Sequence, residues 1–226
     1  MRVSAIVLAA GKGLRFKSRV SKPLAKINAR PLIIYSLAVL SRQAGVKEII
    51  VVANRNNLNG ISAAVKKYKI PRVSAIIQGG LRRQDSVANG LRHIAKDTDL
   101  VLIHDAVRPF IDGKLVARLF KQALRYGAAI AGVAVNSTIK KAGRRNLLVE
   151  RTVCREGLWE IQTPQVFRRD LILAAYRRFG REDATDDAGL VEKLGAKVKI
   201  VKGSYRNIKI TAPEDLAVAA AIAAAG

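Results

Sequence analysis

The chain has 226 residues, enough to bury a substantial core as one domain spanning residues 1–226, and half of them are hydrophobic. Its 41 Lys and Arg against 17 Asp and Glu give a formal charge of +24, which attracts polyanions and anionic small molecules. The basic residues form no long run and aromatics are only 5%, which argues against a dedicated nucleic-acid partner, while the single Cys154 excludes a disulfide framework and points to a reducing, cytoplasmic setting.

The first apolar run, residues 3–8, reads as a strand far too short to span a bilayer, and no signal-peptide pattern follows it. It leads into Leu8-Ala9-Ala10-Gly11-Lys12-Gly13-Leu14-Arg15, where small residues let backbone N–H groups approach a phosphate or a base. This is neither the dinucleotide-binding G-x-G-x-x-G pattern nor a Walker loop. Five cations instead fall within eleven residues: Lys12, Arg15, Lys17, Arg19 and Lys22. Fixed cations beside a glycine loop suit a triphosphate, whose reacting phosphorus gains charge during transfer. The alternative is an ordinary strand-to-helix turn carrying solvated lysines.

A helix is expected over 32–42, a strand over 48–53, a helix over 61–68 and a strand over 73–77. Then comes Gln78-Gly79-Gly80-Leu81-Arg82-Arg83-Gln84-Asp85-Ser86, whose paired glycines permit close backbone approach and whose Ser86 lies in the first turn of a helix over 85–95; Asp85 reads equally well as that helix's cap. A buried strand over 100–103 delivers His104 and Asp105 at its carboxyl end, where ligands sit in open α/β sheets. A lone carboxylate beside a triphosphate is a natural Mg²⁺ ligand, phosphate oxygens and water filling the other positions. Arg108 is placed to pair with Asp105 or to contact substrate. Asp112 is better placed than Asp105 to cap the helix expected over 114–126. His104 reads as a packing or hydrogen-bonding group.

After a strand over 129–135 the alternation breaks: residues 136–158 are polar and basic, with a turn at Ala142-Gly143-Arg144 between flanks that pair as a hairpin, 137–141 with 147–153. A projecting hairpin exposes strand edges, so it is expected to pair with another chain. Gln162-Thr163-Pro164-Gln165 precedes a helix over 169–179. Thr185 and Asp186 open a helix over 186–194, followed by a strand over 197–201. In Asn207-Ile208-Lys209-Ile210-Thr211 the isoleucines alternate inward and Lys209 falls on the other face, where a lysine is usually a solvated edge charge. A final helix covers 213–225. Near-continuous Val/Ile/Leu strands separated by helices predict an α/β fold, a mostly parallel sheet with helices on both faces joined by right-handed crossovers.

Together these motifs, from Ala9-Ala10-Gly11 through Asn207-Ile208-Lys209-Ile210-Thr211 to Pro213-Glu214-Asp215-Leu216, resemble the 2-C-methyl-D-erythritol 4-phosphate cytidylyltransferase family of the non-mevalonate isoprenoid pathway. The resemblance implies a Rossmann-like nucleotidyltransferase fold and a homodimer whose β-arms, at about 136–158, interlock. It implies CTP held by Ala9, Ala10, Gly11, Gly13, Gly79, Gly80 and Ser86, with Mg²⁺ on Asp105. Arg15 and Lys22 would stabilise the pentacoordinate α-phosphorus. Thr138, Arg155, Thr185 and Lys209 would grip the methylerythritol phosphate, with Arg108 and Thr163 close by, Thr138 and Arg155 reaching in from the neighbouring subunit. Three positions depart from the family pattern: Ser21 stands where a proline commonly precedes the catalytic lysine, and Ser137 and Cys154 replace aspartates on the arm. Ribitol 5-phosphate cytidylyltransferase is the nearest rival reading, and a basic nucleic-acid-binding domain the rival of a different class.

Overall fold

In a computed structural model the described residues are 1–11, 13, 16 and 20–225; Lys12, Leu14, Arg15, residues 17–19 and Gly226 lie outside them. The catalytic expectation for Arg15 therefore falls outside the described residues, as do three of the other four loop cations.

The chain alternates strands and helices: β1 (Val3–Ala9), β2 (Lys26–Ile27), β3 (Arg30–Pro31), α1 (Leu32–Ser41), β4 (Val46–Ala53), α2 (Leu58–Lys67), β5 (Val73–Gln78), α3 (Arg83–Leu91), β6 (Leu100–Asp105), α4 (Gly113–Tyr126) and β7 (Ala128–Ala134). The hairpin strands β8 (Ile139–Ala142) and β9 (Val149–Val153) follow, then β10 (Trp159–Arg168), α5 (Arg169–Phe179), α6 (Asp187–Glu192), β11 (Val198–Lys202) and α7 (Asp215–Ala224). The main sheet runs β11-β7-β10-β6-β1-β4-β5, parallel except for β10, which is antiparallel to both neighbours. That is the expected α/β architecture with one strand the sequence pattern did not predict. Pro164 argues against a central strand, because it cannot donate to a ladder. Here the pairing of β10 with β7 shifts register between Ile161 and Gln165, so the proline falls where the ladder is interrupted.

Period-two alternation explains why the sheet is covered on both faces. Along β1, Val3, Ala5, Val7 and Ala9 join the cluster packed by α1, α2 and α4, whereas Ile6 and Leu8 join the cluster packed by α3, α5 and α6. A third cluster seats Phe16, Leu32 and Ile210 against Ala219 of α7. From β1 the chain winds outward to β4 and β5, then returns to place β6 on the other side of β1. Such a reversal opens a crevice at the carboxyl ends of the two central strands, and Leu8 and Asp105 pair across it. The hairpin forms as expected, Ile139 facing Val153 in a separate two-stranded sheet. Among the described residues no helix is long and apolar enough to cross a membrane.

Candidate active site

Two cavities flank the end of β6. The first, about 590 Å³, is lined by Ala9, Ala10, Gly11, Gly13, Lys22, Gly79, Gly80 and Ser86. The second, about 490 Å³, is lined by Arg108, Thr163, Thr185 and residues of β10 and α6. Arg83, Asp105 and Lys209 line both. Chain segments about a hundred residues apart thus meet at one carboxylate.

The first cavity is built from backbone. A Cβ on Gly79 would lie 2.5 Å from Ala10 Cβ and 2.6 Å from Ser86 Oγ, so only glycine allows the two loops this approach. Ser86 Oγ accepts from the Gly80 N–H (3.1 Å) and donates to the Arg82 carbonyl (3.2 Å), fixing the paired-glycine loop on the start of α3. Asp85 does act within the cap: its carboxylate accepts from the Arg82 N–H and pairs with the Arg82 guanidinium at 2.8 Å. Asn57, fully buried at the start of α2, donates to the Ala9 carbonyl and to Ser21 Oγ, both at 2.9 Å. The Ser21 hydroxyl is thereby bonded to the scaffold. Lys22 opens a 3-10 turn, Lys22–Leu24, and its Nζ lies 3.5 Å from the Thr211 carbonyl and over the Phe16 ring.

The second cavity is built from side chains. His104 is fully buried. Its Nε2 faces the Arg108 carbonyl at 3.1 Å, which can only accept, so Nε2 carries the proton and Nδ1 accepts from Thr163 Oγ1 at 3.1 Å. Thr163 Oγ1 in turn accepts the Asp105 N–H at 3.0 Å. Burial pushes His104 down to about 4, so it is a neutral hydrogen-bonding partner of Thr163, as expected. The Thr163 hydroxyl is engaged inward by the same chain. Arg108 does not pair with Asp105. Its Nη1 donates to the Asn207 carbonyl at 2.8 Å, its Nε is buried without a hydrogen-bond partner, and burial lowers its pKa. Asp186 caps α6 by accepting from the Gly189 N–H at 3.0 Å and also accepts from Gln165 Nε2 at 2.7 Å, leaving Thr185 at the cavity mouth.

At the junction, Lys209 Nζ pairs with Asp105 Oδ2 at 2.8 Å and Arg83 Nε faces Oδ1 at 3.5 Å. Lys209 is therefore no solvated edge charge. The segment carrying it forms no strand but is held by Ile210, whose N–H donates to the Val107 carbonyl and whose side chain is fully buried. Burial alone would raise the Asp105 carboxyl, but Arg83 and Lys209 outweigh it and hold the group well below the usual carboxylate range. Arg83, to which the sequence pattern gave no role of its own, also pairs with Asp187 Oδ2 at 2.8 Å. Burial lowers its pKa, and the two carboxylates reverse that and raise it.

Among the described residues no cluster of three acids, histidines or cysteines could hold a metal. A cation brought by a nucleotide needs only one protein oxygen, because phosphates and water complete its shell. Asp105 fits that role in number and sign, provided one of its two cationic partners yields an oxygen. Thr138 and Arg155 line neither cavity: both are exposed on the hairpin segment, where the Arg155 guanidinium donates to the Asn136 carbonyl.

The chain is similar in sequence and fold to known proteins. Residues 3–225 match the family model of 2-C-methyl-D-erythritol 4-phosphate cytidylyltransferase. The chain is 43% identical to the enzyme of that name from Geobacillus kaustophilus, over 99% of this chain and 98% of that one. It is also 43% identical to the one from Pelotomaculum thermopropionicum, over 98% and 94%. Among solved structures it is similar to the 4-diphosphocytidyl-2C-methyl-D-erythritol synthase of Anaerococcus prevotii, with a TM-score of 0.85, 32% identity and coverage of 99% and 96%. The 2-C-methyl-D-erythritol 4-phosphate cytidylyltransferase of Thermus thermophilus superposes with a TM-score of 0.80, at 32% identity and coverage of 99% and 100%. The chain belongs to the 2-C-methyl-D-erythritol 4-phosphate cytidylyltransferase family.

Proposed function

We propose that this chain transfers the cytidylyl group of CTP to 2-C-methyl-D-erythritol 4-phosphate, forming the CDP-methylerythritol intermediate of the non-mevalonate pathway and releasing pyrophosphate. The observation that carries this reading is the pair of cavities sharing Asp105, Arg83 and Lys209, in a chain of that family. CTP occupies the backbone-built cavity, its cytidine against Ala9, Ala10, Gly11, Gly13, Gly79, Gly80 and Ser86. The acceptor phosphate occupies the other, near Arg108, Thr163, Thr185 and Lys209. An oxygen of that phosphate attacks the α-phosphorus in line; the new P–O bond forms as the bond to the β-phosphate bridging oxygen breaks, and the electron pair leaves with pyrophosphate. A phosphate dianion needs no general base, so positioning and charge neutralisation do the work. Lys22 and Arg15 neutralise the charge that builds on the α-phosphoryl oxygens. Mg²⁺, held by Asp105, would neutralise the triphosphate when bound.

The reading extends to a homodimer in which the hairpin carries Thr138 and Arg155 into the neighbouring subunit's second cavity. Exposure of both residues and of Leu147, Leu148 and Val149 on the same hairpin supports that extension. A cytoplasmic location goes with it. The test is pyrophosphate release from CTP against a panel of polyol phosphates. Release with methylerythritol phosphate and not with ribitol 5-phosphate is expected. Equal release with ribitol phosphate would move the assignment to the rival acceptor. Nucleic-acid binding that falls steeply with salt, without CTP turnover, would remove the enzyme reading.

A further inference from the structure

Asp105 has two cationic partners, and they are held differently. Lys209 reaches it on a flexible stem from a segment without regular structure, and its side chain is 43% exposed. Arg83 reaches it from the first residue of α3, and its Nη2 also forms an ion pair with Asp187 Oδ2 at 2.8 Å, a contact without hydrogen-bond geometry. Asp187 is fully buried at the start of α6 and its Oδ1 accepts the Tyr176 hydroxyl of α5 at 2.5 Å. A buried carboxylate needs a compensating cation, so the Asp187 charge, itself oriented by Tyr176, holds the Arg83 guanidinium beside it as an ion pair. None of the three belongs to the cation loop or to the arm, and Asp187 and Tyr176 line neither cavity.

From this asymmetry, and resting on the proposed reaction, we infer that Arg83 is the fixed partner of Asp105 and Lys209 the exchangeable one. When the acceptor enters the second cavity, Lys209 leaves Asp105 for the acceptor phosphate. Arg83, locked by Asp187 and Tyr176, keeps Asp105 in place between the cavities throughout. Arg83, Asp187 and Tyr176 are accordingly positioning residues: they act through Asp105, and Asp187 and Tyr176 act only through Arg83.

A double-mutant cycle tests this, measured as pyrophosphate release with CTP and methylerythritol phosphate, alongside thermal unfolding. Arg83→Gln and Asp187→Asn are each expected to lower kcat about tenfold or more, with KM for CTP held within about twofold. The double variant, which removes both charges of the pair together, is expected to be no slower than Arg83→Gln alone, because the two act as one unit. Losses that multiply in the double variant, or a kcat unchanged in Arg83→Gln, would overturn the inference. Should Asp187→Asn fail to fold, Tyr176→Phe takes its place: its smaller loss, about threefold, must vanish in the Arg83→Gln background. Wild-type protein without CTP-dependent release would remove the functional reading and this inference with it. An active wild type with multiplicative variants would remove the inference alone.

Discussion

The two cavities on either side of Asp105 are made of different material. The first has a floor of backbone and small residues, two loops brought so close that a single Cβ on Gly79 would collide with both Ala10 and Ser86, with longer side chains such as Arg55 and Arg82 around it. The second is walled in part by the buried polar side chains Thr163 and Arg108, which His104 and the Asn207 carbonyl hold from outside the cavity lining, and in part by Ile130, Ile161 and Ile200. A backbone wall reads shape and offers N–H groups whose positions do not depend on titration. A side-chain wall reads charge, and its geometry persists only while every member keeps its protonation state and its partner.

The sharpest way to probe this contrast is at the junction with the cation loop. Lys22→Ala is expected to lower kcat by about 10²–10³, the usual loss when one donor to a charge-developing transition state is removed. Unfolding should be little changed, and near-normal kcat would remove the transition-state role. Next comes His104, which holds Thr163 of the side-chain wall. Because the folded pKa of His104 lies at about 4, below its ordinary value of 6.5, the unfolded chain binds a proton that the folded chain refuses between those values. Stability from this group is fully present above 6.5 and is lost as pH falls toward 4, by up to about 3 kcal/mol. Denaturant titrations of nucleotide-free protein should show that slope between pH 6.5 and 5, and His104→Asn should flatten it. An unchanged slope in the variant would assign it to other groups.

A smaller effect is expected in the backbone wall. Gly79→Ala should raise KM for CTP about tenfold, by pushing the loops apart, and leave the pH slope untouched. The smallest concerns Asp215, whose Oδ2 accepts from the Thr211 N–H (2.6 Å), the Thr211 hydroxyl (2.9 Å) and the Ala212 N–H (2.9 Å). These bonds fix the carbonyl that faces Lys22. Asp215→Ala should cost about 1 kcal/mol of stability and lower kcat a few-fold, and a normal kcat would detach this turn from Lys22.

The contrast also explains what the sequence made legible. Backbone-built sites depend on local chemistry: Gly79-Gly80 and Ala9-Ala10-Gly11 follow recognisable strands, and Asp105 ends one. These are short-range signals, and the structure brings the residues together. The helix-start reading of Asp186 and the cap at Asp112 rest on the same kind of signal. The side-chain-built half depends on distant packing. Pro164 concealed β10, although that strand carries Thr163 and separates β6 from β7. Arg83 carries no local signal within the paired-glycine motif, because its partner Asp187 lies about a hundred residues on and is brought near by α6. Asn57 gave no signal at all; only the fold shows it tying Ala9 to Ser21.

The central claim is that the backbone cavity takes the nucleotide and the side-chain cavity takes the phosphorylated acceptor. Its most direct test is a pair of initial-velocity matrices, CTP against methylerythritol phosphate, for Gly79→Ala and Arg108→Ala. The division predicts that Gly79→Ala raises KM for CTP alone and Arg108→Ala raises KM for the acceptor alone. Both variants raising the same KM, or each raising both equally, would contradict it.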